Sequence, residues 1–233
     1  MFHPFSITET ISIAWHILKR NIATIAVYSL IAFVIVIGAG FVIYDLLNDE
    51  ILTSIGIVLL LVGISFIFLG FIKLIFQLID KEFYDFGFND IVPKVKMLMS
   101  YLILLVIVST LAVIMTNGIK LLGDGIVQSI LGICIFLFIQ FFFLFYFPIC
   151  ACFIVDDQSG PFESVVQSFS LIKGNFVKYF LLFLLIEGMV LVGSITRIGM
   201  IFVVPFVNIL LVVAYRKLVY SHLDVDDDIT ETL

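Results

Sequence analysis

From Ile22 to Tyr44 the chain reads IATIAVYSLIAFVIVIGAGFVIY, with no charged residue in it. A run of that length and polarity has few ways to fold. About 20 consecutive apolar residues suffice to cross the hydrocarbon of a bilayer as a helix. Lipid offers no partner to a backbone N–H or C=O, so the helix, which satisfies them internally, is the form such a run takes. Further runs of the same kind lie at 51–79, 100–122, 126–155, 175–196 and 198–220. The chain is 63% hydrophobic and only 13% charged, and an average globular protein carries about a quarter charged residues. The fold class these runs predict is all-α, a polytopic membrane protein with about six transmembrane helices.

The connectors alternate in kind. Short polar breaks, YDLLNDE, TNGIKLLGDG and GSITRIG, separate the two members of each pair of runs, and a longer amphipathic segment precedes each pair. In PFESVVQSFSLIKGN, residues 161–175, Phe162, Val165, Val166, Phe169 and Ile172 recur at helical spacing. Pro161 suits the first helical position, and Gly174 after Lys173 suits the stop. Near the N-terminus Ile7, Ile11, Ala14, Trp15 and Leu18 form a similar face, and Ser6-x-x-Glu9 has the pattern of a capping box. Aligning Asn21 with Asn175 pairs Glu9 with Glu163, Trp15 with Phe169 and Lys19 with Lys173. A weaker third copy spans 86–101, with Val92, Val95 and Met99 in line.

These patterns predict three repeats, about 4–80, 86–156 and 160–221, within a single transmembrane domain over 1–221. Each repeat would be an interfacial elbow helix followed by a helical hairpin. Trp15, Lys19, Arg20, Phe169, Lys173 and Asn175 are the residues expected to mark the elbows. The acidic segment 222–233 reads as a solvated, disordered tail. Of the 12 Lys and Arg, all but Lys120 and Arg197 fall on the elbow side. The positive-inside rule then puts the elbows and both termini in the cytoplasm. The first twenty residues hold Pro4, Glu9, His16, Lys19 and Arg20 and no short apolar core, so a retained first span is expected rather than a cleaved signal.

Several classes of function are disfavoured. A net charge of −6 with no basic stripe gives no nucleic-acid partner. Cys150 and Cys152 point to different helix faces with no His nearby, and Cys134 stands apart, so no metal site and no cofactor are expected. No P-loop, G-x-S-x-G or H-E-x-x-H is present, and the expectation is that the chain is not an enzyme. Ionisable groups inside a membrane are costly, which singles out Glu187, roughly 18 Å past Asn175 at 1.5 Å per residue. Asn208 and Gln140 should lie at comparable depth. Pro205 and Pro148 would break their helices, Pro205 freeing the carbonyl of Ile201 near Asn208. Two readings stand: a binding site between broken helices, or a hydrogen-bonded clasp in which a protonated Glu187 faces Asn208. Lys73 is expected to snorkel to the interface, and Asp156 and Asp157 to end a span.

The stretch FPICACFIVDDQSGPFESVVQSFSLIKGNFVKYF has a further significance. Its order is an aromatic-Pro span end, a V-D-D turn, G-P-F-E-S, then an amphipathic helix closing in L-I-K-G-N. In this it resembles the YciC-like bacterial inner-membrane proteins and the related membrane domain attached to some glycerophosphodiester phosphodiesterases. The detailed likeness covers about the last third of the chain. It implies a multi-pass inner-membrane protein and supplies no catalytic residues. The phosphodiesterase barrel of some relatives has no counterpart here.

The expected function is therefore a non-enzymatic membrane component that organises lipid, a membrane-protein partner or a second copy of itself. The alternative is a small transporter or channel built around Glu187, with an intramembrane enzyme third. Topology is directly testable. Cysteine labelling should reach positions near Asn48, Gly123 and Ser194 from outside the cell; labelling of Gly160 from that side would reverse the orientation.

Overall fold

The computed structural model describes residues 5–45, 50–80, 87–121, 125–195 and 199–231. Among them the chain is helical with no strand, and six helices are long and apolar enough to cross a membrane. Helix α1 (Ile7–Arg20) leads through Asn21 into α2 (Ile22–Asp45), which returns as α3 (Glu50–Asp80). A single short turn of helix, α4 (Phe88–Ile91), precedes α5 (Val95–Lys120). The return strand of that hairpin is α6 (Ile126–Phe141), a π-helical segment (Phe142–Tyr146) and α7 (Phe147–Asp156) in series. Helix α8 (Pro161–Lys173) then leads into the hairpin of α9 (Phe176–Ile195) and α10 (Gly199–Glu231).

The π segment has a local cause. Pro148 stands two residues after it, and a proline ring inside a helix collides with the carbonyl four residues earlier. Widening the preceding turn relieves that crowding, and Phe147 N–H then bonds to Phe142 C=O. The helix break expected at Pro148 takes this form. Pro205 behaves differently: it lies inside α10, which continues on both sides of it.

The core sits at one end of the bundle. Leu69 to Leu78 of α3, Phe145 to Val155 around α7, and Ile209 to Leu218 of α10 supply most of the buried apolar residues. These are the final stretches of the second helix of each hairpin, and all three helices touch one another. Away from that end the hairpins pack mainly on themselves. Helix α2 packs on α3 and α1, and α6 packs on α5 and on the π segment that continues it. Leu30, Ile31, Phe33 and Ile35 of α2 are all exposed. At 3.6 residues per turn those four cover more than half the circumference of the helix.

Helices α1 and α8 form where the apolar periodicity predicts, and each turns part of its apolar face inward: Ala14 and Ile172 are buried, and Ile7, Ile11, Leu18 and Val165 pack against the core. The buried line of α1 is Thr10, Ala14 and Ile17, with Trp15 49% exposed. In α8 it is Ser164, Ser168, Leu171 and Ile172, while Phe162 and Val166 are each 69% exposed. Small and hydroxyl-bearing residues let helix backbones approach closely, and their hydroxyls close on their own helix. Thr10 Oγ1 donates to Ser6 C=O at 2.7 Å and Ser168 Oγ to Ser164 C=O at 2.7 Å. The Ser6 capping box does not form: Ser6 has no capping side-chain bond, and Glu9 pairs with Lys217 instead. In α8 the Glu163 carboxylate does accept the Gly160 N–H, at 3.2 Å.

The middle elbow is corrected. Its amphipathic helix is reduced to α4, because Pro93 cannot continue a helix and biases Val92 toward the extended backbone it adopts. Val95 and Met99, read as lying in line on one apolar face, are exposed, and Met97, Ser100 and Tyr101 are buried. Helix α10 spans Gly199–Glu231; extending an existing helix avoids the cost of nucleating one.

Gly70 tests the packing of the first hairpin. Tyr28 of α2 donates to the Ile67 carbonyl at 2.8 Å, and a Cβ on Gly70 would lie 2.5 Å from the Tyr28 hydroxyl. Gly70→Ala should lower stability by about 1 kcal/mol, the worth of one displaced hydrogen bond. Adding Tyr28→Phe should make the Gly70→Ala change nearly neutral, a coupling that thermal unfolding of the four proteins in detergent would measure.

Candidate functional site

The sequence singled out Glu187, Asn208 and Gln140, and among the described residues no hydrogen bond joins any two of them. Glu187 is half-buried and has no hydrogen-bond or ion-pair partner among the described residues. Asn208 turns back on its own helix, Nδ2 donating to Val204 C=O at 2.8 Å rather than to Ile201, the carbonyl Pro205 releases. Gln140 is exposed on α6. The expected face-to-face clasp of Glu187 and Asn208 is thus absent. Equal distance from a hairpin turn fixes depth along two helices but leaves rotation about each axis free.

The groups that do converge lie at the basic end. Arg216 of α10 reaches Asp80 at the end of α3, Nη2 to Oδ2 at 3.1 Å, and Asp156 at the end of α7, Nη1 to Oδ2 at 3.4 Å. Tyr215 adds its hydroxyl to the same Asp156 oxygen at 3.1 Å. The guanidinium lies 4.8 Å from the centre of the Phe76 ring, a cation–π arrangement. One arginine of α10 therefore holds the last turns of α3 and α7, and the second helices of all three hairpins meet there. The Asp156 expected only to terminate a span is a principal acceptor here.

Beside this triad opens a cavity of about 330 Å³. Lys73, Asp90 and Lys94 line its other side, and Phe76, Met97 and Val155 give it apolar wall. Lys73 Nζ donates to Val92 C=O at 2.8 Å, so the expected snorkelling ends on the backbone before Pro93. Gln158, also on the wall, holds a left-handed backbone conformation with φ 55°. That conformation is uncommon for a residue with a Cβ, and it turns the chain from α7 toward α8.

The elbow residues have definite places. Trp15 packs edge-on against Phe206 at 5.8 Å, and Lys19 Nζ stands 5.2 Å from its ring centre. Arg20 and Lys173 are exposed, and Phe169 stacks near Tyr146 at 4.1 Å. Asn21 and Asn175 do play equivalent parts at the helix junctions. The carbonyl of each accepts the first bond of the following span, from Ile25 at 3.1 Å and from Tyr179 at 2.9 Å. Asn175 also donates to Ser221 Oγ at 3.3 Å, tying α9 to α10.

Sequence reasoning missed Tyr179. It is buried, its hydroxyl donates to Phe145 C=O in the π segment at 3.0 Å, and its ring packs on Phe145 at 4.8 Å. A tyrosine in an apolar run opposite a proline-perturbed helix was the available signal, because a buried phenol needs an acceptor and a distorted turn offers one. Cys150 and Cys152 are buried and free, and among the described residues no group of His, Cys, Asp or Glu could hold a metal ion. No family model matches the chain, and neither a curated protein nor a solved structure matches it.

The triad makes a quantitative prediction. Arg216→Met leaves two carboxylates close together without their cation, at a site where Arg216 and Asp156 are each 22% exposed. Loss of one partner from a largely buried pair should cost on the order of 2 kcal/mol, reduced from the fully buried case by solvent screening. Restoring charge balance with Asp80→Asn and Asp156→Asn in the same protein should recover much of it. Unfolding followed through the single Trp15 would report both.

Proposed function

We propose that this chain is a non-enzymatic inner-membrane protein that organises lipid around itself, with its basic end and both termini in the cytoplasm. The YciC-like resemblance belongs to the same proposal. One observation carries the reading: the packed core is confined to one end, while the remaining halves of the hairpins present apolar side chains and bind chiefly within their own hairpin. Such surfaces need an apolar surrounding, and lipid chains are the solvent in which helices of this composition reside. The exposed Phe162 and Val166 of α8 and the half-exposed Trp15 of α1 add side chains suited to the interface. A transporter would need a polar route through the bundle, and no hydrogen bond links Glu187, Asn208 and Gln140 among the described residues.

Spin-labelled lipids in reconstituted membranes test this. More motionally restricted lipids per protein are expected than one shell around a closed six-helix bundle would hold. A single-shell value would remove the support for lipid organisation, and cross-linking of the outer halves to another chain would favour a protein partner instead.

A further inference from the structure

The cavity beside Arg216 divides into two halves of opposite sign. Arg216 with Asp80 and Asp156 sums to one negative charge, while Lys73 and Lys94 with Asp90 sum to one positive charge. Neither half has exhausted its hydrogen-bonding capacity. Lys73 uses one of three N–H donors on Val92, and Lys94 makes no side-chain hydrogen bond among the described residues. Asp80 receives Arg216 on Oδ2, leaving Oδ1, and Asp90 receives the Gly87 N–H on Oδ2, leaving its Oδ1. The Nε–H of Arg216 is buried without an acceptor.

A simple anion would gain from the lysine side and be opposed by the aspartates; a simple cation would meet the reverse. A ligand that carries both charges, separated by a short linker, satisfies both halves at once. The volume of about 330 Å³ lies at the small end of the range for small-molecule pockets, about 300–1,000 Å³. The apolar wall of Phe76, Met97 and Val155 suits the carbon linker between the charges. The cavity also lies where transmembrane helices α3, α7 and α10 end their apolar runs, the level at which lipid headgroups reside.

We propose that this cavity binds the headgroup of a primary-amine zwitterionic phospholipid, its phosphate toward Lys73 and Lys94 and its ammonium toward Asp80. The proposal deepens the lipid-organising reading and rests on it for the source of the ligand. A primary ammonium donates hydrogen bonds to a carboxylate, which a quaternary ammonium cannot do. A glycerol headgroup brings the phosphate without the cation. Phosphatidylethanolamine should therefore be preferred over both phosphatidylcholine and phosphatidylglycerol.

The test uses the full-length protein in detergent, titrated with short-chain forms of these three lipids and read by native mass spectrometry. Phosphatidylethanolamine should bind about tenfold more tightly than either of the others, the effect of a single charge-assisted hydrogen bond. Lys94→Gln should weaken binding of all three lipids about tenfold without unfolding the protein, since they share the phosphate and Lys94 is exposed and bridges nothing. Asp80→Asn is the second variant and should remove the preference for phosphatidylethanolamine, because Asp80 is the partner proposed for the ammonium. Free phosphoethanolamine separates the sources: displacement of the lipid at similar concentration identifies the headgroup alone as sufficient, and failure to displace it identifies the whole lipid. Either result supports the charge-separated site. Equal binding of the three lipids, an affinity unchanged in Lys94→Gln, or a preference unchanged in Asp80→Asn would overturn it. The count of restricted lipids is blind to this pocket, so its persistence in Lys94→Gln keeps the failure of the site distinct from the failure of lipid organisation.

Discussion

Three helices that belong to different hairpins meet at a single end, and the rest of the molecule depends on that contact. In lipid there is no hydrophobic drive to bring helices together, because the tails are as apolar as the side chains. Close packing and polar bonds must decide the arrangement. Around Ile149 to Val155 the chain places Cys150, Ala151 and Cys152, and α10 places Ala214; their small volumes permit near approach of α3, α7 and α10. Arg216 then adds direction. Its two carboxylate partners come from the other two hairpins, so the pair of bonds fixes how far each helix end stands relative to the others. Apolar contact alone would tolerate a slip along the axis; a guanidinium held at two points does not.

The transmembrane helices were legible because the bilayer imposes a length and forbids charge. The expected runs and the observed helices agree closely at most ends, though the third helix starts earlier, at Val95, and passes through what was assigned to a connector. Which residues of the α1 and α8 stripes turn inward was not legible. A helical wheel finds the apolar stripe, and only next to water does that stripe have a single side to turn to. Next to lipid that constraint is lifted, and Phe162 and Val166 turn out while Ser164 and Ser168 turn in.

The candidate site was legible only in pieces. Asp80, Asp156 and Arg216 each stand near the end of the second helix of a hairpin, a correspondence visible in the sequence once the hairpins are paired. Nothing in the spacing, however, says that the three ends touch. Glu187 drew attention for its depth, yet depth gives no partner. Pro93 was the sign that the middle amphipathic segment could not be one continuous helix, and it outweighed the apolar period of Val92, Val95 and Met99.

The polar groups divide according to position in a way that gives the architecture its logic. Toward the middle and the far end they are satisfied by their own helix: Ser65 by Leu61, Thr116 by Ala112, Ser194 by Leu191 and Asn208 by Val204. Such bonds remove the cost of a bare polar group in hydrocarbon without holding one helix to another. The bonds that cross between hairpins lie toward the basic end, from Tyr179 to Phe145, from Tyr215 to Asp156 and from Arg216 to Asp80. Interhelical polar bonds are thus concentrated where the apolar core already brings the helices together. Each hairpin is joined to the others at one end and beyond it answers mainly to its own partner helix and to lipid. A substitution that alters the far halves should therefore change how lipid is held while leaving the Arg216 junction intact, whereas a substitution at the junction should loosen all three hairpins together.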